Sequence, residues 1–267
     1  MNQPTSMAAQ VMTAAGVETH AEDYNHQTRE HWKVVYDSSV NGGGRGREEG
    51  VEAVSPILRT ADELEQIETV CDSLTDAGFE VNHTCGLHVH IDGKQDCDLA
   101  TVKNVAKIYA LFEPGFDMFM SPLRRANKAG YARSIALPGD SDWFSQAYIE
   151  DKFRKLDRVN SVERITTVFG ERNGKVNFGH LRDGDYGTVE FRQHQASLNA
   201  KKVTNWVRLL QALWVAGQTV DPEVRYYKTE ELVPSLLDAI NPPAEVRAYY
   251  ENVVSLLSPP EEAHDIY

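Results

Sequence analysis

The stretch that most constrains this chain is Gly86-Leu87-His88-Val89-His90-Ile91-Asp92, apolar at 87, 89 and 91 and polar at 88, 90 and 92. A strict period of two belongs to a half-buried β-strand, whose neighbouring side chains point to opposite faces. His88, His90 and Asp92 therefore share one face, about 7 Å apart at each step, and the aliphatic row faces a core. Thr188-Val189-Glu190-Phe191-Arg192-Gln193-His194 repeats the pattern, with Val189 and Phe191 on one side and Glu190, Arg192 and His194 on the other. If both strands lie in one sheet, imidazoles, a carboxylate and a guanidinium meet on its polar face. Because Val189 and Phe191 are core-like, Glu190 and Arg192 need partners, since unpaired buried charge is costly. A divalent cation and a phosphate would supply them. The plainer alternatives are solvated histidines and a structural Glu190–Arg192 or Glu52–Arg192 ion pair.

The rest of the chain surrounds these strands with alternating elements. Spacing predicts a helix over 6–15 stopped at Gly16, a strand over 31–36, a flexible Gly42-Gly43-Gly44-Arg45-Gly46 loop and a strand over 50–54. An amphipathic helix follows over 62–77 with Gly78 as its stop, and a long helix over 98–120 is interrupted or ended near Pro114-Gly115. Further helices are expected over 142–159 and 202–220, with two more around Pro242-Pro243 before an acidic tail. Residues 175–178 and 188–194 read as a hairpin around a 182–187 turn, which argues for an α+β chain rather than a doubly wound one. The polar stretch 18–29 carries no readable pattern.

Composition limits the partners. The 267 residues carry a formal net charge of −13, which disfavours nucleic acid as a bulk partner. No apolar run approaches the ~18 residues of a membrane span, and no basic-then-apolar leader opens the sequence, so a cytoplasmic protein without membrane contact is expected. Three cysteines without a Cys-x-x-Cys pair read as reduced thiols. Within this acidic chain, Arg124, Arg125, Lys128 and Arg133 form a run with no acid between 121 and 137. Such a run suits a triphosphate or a substrate carboxylate. The sequence lacks the Gly-x-x-x-x-Gly-Lys-Ser/Thr and Gly-x-Gly-x-x-Gly phosphate loops, the Gly-x-Ser-x-Gly elbow and the His-Glu-x-x-His helix.

Four segments in order, Trp32 to Ser39, Gly50 to Leu58, Cys85 to Asp92 and Gly187 to His194 followed by Trp206, resemble the amidoligases. These are relatives of glutamine synthetase and glutamate–cysteine ligase among the carboxylate–amine ligases. The likeness covers about residues 8–220. It implies a mostly antiparallel, curved sheet of glutamine-synthetase type, helices on its convex face and a concave active-site face. It also implies a catalytic domain over 1–225 and a C-terminal helical extension and acidic tail over 226–267. The implied cofactors are ATP and Mg²⁺. Glu52, His88 and Glu190 are the implied metal ligands. Arg192, Glu190, His90 and Arg124 are the implied catalytic groups, with Arg125, Lys128, Arg133 and His194 on the nucleotide. The implied reaction phosphorylates a carboxylate and lets an amine attack the acyl phosphate, on a small molecule or peptide, with the oligomeric state left open. One departure stands out: family members open with a Gly-Phe/Val-Glu-Ile-Glu strand, of which Gly16-Val17-Glu18 is only a partial echo. Two other readings compete, a catalytically degenerate nucleotide- or peptide-binding relative and a metal hydrolase using His88, His90 and Glu190.

Overall fold

Helix breakers and caps set most element boundaries in the computed structural model, which describes residues 3–41, 49–95, 97–139, 145–170, 173–182 and 184–257. The Gly42–Gly46 loop and the acidic tail lie outside the described residues. The chain divides into two compact units, one of residues 1–87 and 195–204 and one of residues 88–194 and 205–267.

In the first unit, helix α1 (Gln3–Ala14) ends before Gly16, whose φ of +95° is open to glycine at little cost. Strand β1 (Thr19–Ala21) runs parallel to β2 (Trp32–Asn41), and β3 (Glu49–Val54) is antiparallel to β2. The polar stretch thus holds a strand that its composition concealed. Helix α2 (Ala61–Asp76) starts in a capping box in which Thr60 and Glu63 each take the other's backbone N–H. Ala8, Met12, Val34, Trp32, Ile67, Val70 and Leu74 form the core of this unit, and Val203 joins them from much later in the sequence.

The second unit contains β4 (Val89–Asp92), α3 (Leu99–Asp117), α4 (Gln146–Asp157), α5 (Thr166–Phe169), β5 (Val176–Asn177) and β6 (Thr188–Phe191). Helix α6 (Ala200–Gly217) contributes its residues from Asn205 onward, and α7 (Thr229–Ile240) and α8 (Ala244–Leu257) complete it. Helix α3 does not stop at Pro114 but continues one turn to Asp117. A proline so close to the helix end disturbs only the last turn, and burial of almost every face of α3 holds the rest. Gly115 faces α7 closely; a Cβ there would stand 3.4 Å from the Leu232 carbonyl oxygen.

The described residues form an α+β structure with two separate three-stranded sheets, β1-β2-β3 and β4-β6-β5, in place of the single larger sheet expected. The pairing puts β6 between β4 and β5, so these three strands form a sheet of their own with β4 and β5 at its edges. Both of its pairings are antiparallel, as the hairpin reading required. Val189 and Phe191 are fully buried, and the Phe191 ring lies 5.8 Å from Tyr109 of α3. Residues 226–257 are part of the second unit, where α7 packs on α3.

Candidate functional site

The register of the second sheet puts His90 opposite Glu190 and Asn177 opposite Glu190 on the other side. Glu190 is thereby the centre of the polar face, although it is only 3% exposed. Its Oε1 lies 3.3 Å from His88 Nδ1 and 3.8 Å from His90 Nε2. Its Oε2 accepts from Asn177 Nδ2 at 2.8 Å and from Arg192 Nη1 at 3.3 Å, and stands 3.2 Å from His180 Nε2. The other nitrogen of His180 meets Asp185 Oδ1 at 3.0 Å, and His90 Nδ1 meets Thr188 Oγ1 at 2.9 Å. The Tyr186 ring stands edge-on to both His90 and His180.

These contacts divide the histidines. Burial opposes charge on His88 and, with Arg192, His90 and Arg124 nearby, pushes it down to about 4 despite the attraction of Glu190. His90 is lowered too, chiefly by burial. His180 is raised, because its hydrogen bond to Glu190, aided by Asp185, outweighs its burial. For Glu190 burial works against ionisation, yet the His180 hydrogen bond, Arg192, His88 and His90 together hold it well below the usual carboxylate range. Glu190 is therefore held as a carboxylate beside His88 and His90, which are biased towards the neutral form, His180, biased towards the charged form and in contact with Asp185, and the Arg192 guanidinium. In a folded-protein NMR titration, His180 is expected to titrate above 6.5 and His90 and His88 below it, with His88 near 4. The signs are opposite: the contribution of His88 to stability shrinks as pH falls from about 6.5 towards 4, whereas that of His180 is full below about 6.5 and lost as pH rises through its elevated value.

Arg192 has donors to spare. Among the described residues its Nε has no hydrogen-bond partner although it is buried, and its side chain is 14% exposed. A buried guanidinium N–H left without an acceptor is costly, and an oxyanion is its natural acceptor. The backbone helps to fix this residue, since Arg192 N donates to the Lys175 carbonyl at 2.7 Å.

Of the basic run, Arg124 is buried at the end of a 3-10 turn (Pro122–Arg124) and its charge acts on His88. Arg125 instead donates from Nε to the Met120 carbonyl at 2.9 Å, and Lys128 and Arg133 are exposed. His194 is buried with its ring 5.3 Å from Trp206, past the end of β6 where the strand alternation no longer applies. Glu52 belongs to the first unit, opposite Val35 on β2, where its charge favours the Lys33 ammonium.

Beneath the sheet lies a buried ionic network that sequence spacing does not reveal. Lys175, with no exposed surface, reaches Glu113 Oε1 at 2.9 Å and Asp117 Oδ1 at 2.6 Å. Glu113 Oε2 accepts the Ile135 and Ala136 N–H groups, and Asp117 Oδ2 accepts Ala126 N–H at 2.8 Å. Asp117 Oδ1 also accepts from Gln193, which in turn accepts from Tyr109. The network thus pins both ends of the segment that carries the basic run. It also holds Ala126 in a left-handed conformation (φ +48°), which a non-glycine residue adopts only under constraint.

A family model described as "Putative amidoligase enzyme" matches residues 2–214. The chain belongs to this amidoligase family. No curated protein and no solved structure matches it. The sequence reading of site residues missed His180, Asn177 and Asp185. The hairpin held the clue, because a chain leaving a strand opposite Glu190 and returning through it must pass over that carboxylate. Among the described residues no helix is long and apolar enough to cross a membrane.

Proposed function

We propose that this amidoligase is an ATP- and Mg²⁺-dependent carboxylate–amine ligase acting on a small-molecule or peptide substrate that offers a carboxylate and an amine. The observation that carries the reading is the Glu190 cluster, above all the buried Arg192 Nε, which has no acceptor among the described residues. Arg192 and Arg124 are the groups that would hold phosphoryl oxygens. Mg²⁺ takes oxygen ligands and is commonly held by one or two carboxylates plus substrate phosphates. A cluster in which one buried carboxylate, Glu190, sits among donors fits a Mg²⁺–triphosphate complex better than the bare ion, with Glu190 giving one protein oxygen. ATP would supply the phosphoryl group that activates a substrate carboxylate, and the ion would spread its charge. Arg192 would stabilise the charge that develops on the transferring oxygens. His180, biased towards its charged form and braced by Asp185, would help to keep Glu190 ionised and oriented. His88 and His90, neutral near pH 7, would accept hydrogen bonds or a proton from the attacking amine. A glutamine-synthetase-like active-site face is part of the same proposal.

Incubation with ATP, Mg²⁺ and a pool of amino acids and short peptides is expected to release ADP and phosphate in step with a new amide detected by mass spectrometry. Glu190→Gln should remove that release. Absence of product from every pair, with ATP bound but not consumed, would overturn the ligase reading and favour a nucleotide-binding relative without turnover.

A further inference from the structure

A second group of metal-ligating side chains stands in the first unit, unconnected in sequence to the Glu190 cluster. We propose that Glu18, His20 and His31 form a binding site for one divalent transition-metal ion of the zinc type. Among the described residues they are the one group of His, Cys, Asp and Glu in which three ligand atoms all lie within 4.8 Å of one another. Glu18 Oε1 is 3.6 Å from His20 Nε2, near the about 3.3 Å edge of a tetrahedron with zinc-length bonds. The His20 and His31 rings stack at 3.9 Å with a 28° tilt.

The strand pairing creates this meeting. Thr19 is opposite Trp32 in the parallel pair, and Trp32 N–H donates to the Glu18 carbonyl at 3.0 Å, so 18 and 20 flank the point where 31 arrives. The connecting loop is clamped from within. Arg29 grips Glu22 through Nε and Nη2 at 2.9 and 2.8 Å. Buried Lys33 sends its Nζ to the Asn25 and Gln27 carbonyls and to Asn25 Oδ1. Glu22 Oε1 stands 3.4 Å from His31 Nε2 and steadies that ring, as outer carboxylates do for ligating histidines. The loop that brings His31 to the site is thus fixed before any ion arrives, which lowers the cost of ordering that ligand.

Donor chemistry names the class of ion. Two imidazoles and one carboxylate suit zinc, nickel or copper and are a poor match for Mg²⁺. Three protein ligands leave a fourth position for water, and the exposed Glu18 and His20 side chains open that position to solvent. The site is independent of the ligase reading. An occupant would tie the 22–31 loop to β1.

The test uses the full chain, stripped of metal and titrated with Zn²⁺ by calorimetry and with Co²⁺ by visible absorption. One Zn²⁺ per chain is expected, with micromolar or tighter affinity, together with the d–d bands of four-coordinate Co²⁺ and a rise in melting temperature on Zn²⁺ addition. His31→Ala and His20→Ala should each weaken Zn²⁺ by about 100-fold, and Glu22→Gln by about 10-fold. His20 is exposed and His31 partly covered, and circular dichroism checks that each variant remains folded. Failure to bind Zn²⁺ tighter than millimolar, or stoichiometric binding that survives the double His20→Ala/His31→Ala change, overturns the proposal.

Discussion

Arg192→Ala is expected to lower ATP-dependent amide formation by about 10²–10³-fold, the usual loss on removing one donor aimed at developing charge. The effect should appear in kcat more than in KM, because the unpartnered Nε is proposed to meet an oxygen that gains charge only during transfer. Folding should survive, since Glu190 keeps Asn177, His180 and His88 when Arg192 is gone. Arg192→Lys should recover little, because an ammonium supplies a point charge without the two-pronged geometry. Steady-state kinetics with a melting curve for each variant provide the check. Unaltered kcat in Arg192→Ala would make the Glu190–Arg192 pair purely architectural.

Lys175→Met is expected to cost about 3–5 kcal/mol, the penalty for stranding buried charge by removing one partner. For a chain of this size that lowers the melting temperature by roughly 6–20 °C. Glu113 and Asp117 would lose the ammonium that both contact, and Asp117, already raised by burial, would lose its charge partner. Adding Glu113→Gln and Asp117→Asn to Lys175→Met should restore part of the stability, because no unpaired charge then remains inside. Thermal unfolding of the single and triple variants distinguishes this from simple loss of packing, which neutralising the acids would not repair.

The strands that carry the Glu190 cluster were legible because period-two alternation is a local signal. Their pairing was legible because two such faces share the same chemistry. His180 was not, since it lies in a 3-10 turn after a two-residue strand, where no periodicity marks which way a side chain points. β1 was hidden because three residues are too few to show a pattern among polar neighbours. The Lys175 network left one mark in the sequence: Glu113 is the one charge in the otherwise apolar run 109–116 of α3, and a charge in such a place demands a partner. What local pattern could not supply was the identity of that partner, 62 residues away along the chain. The basic run illustrates the opposite limit. Its charge was obvious, but only burial separates Arg124, which acts on His88, from Lys128 and Arg133 on the surface.

The division of the chain into two interleaved units has a consequence for biosynthesis. Residues 1–87 leave the ribosome first, yet Val203, which belongs to their apolar core, emerges only after residues 88–194 have been made. Until then the nascent segment exposes greasy surface that its own sequence cannot cover. Closure over so long a loop is slow by nature. Ribosome stalling before residue 204 should therefore leave the N-terminal segment protease-sensitive, and chaperone dependence should fall once that point has passed.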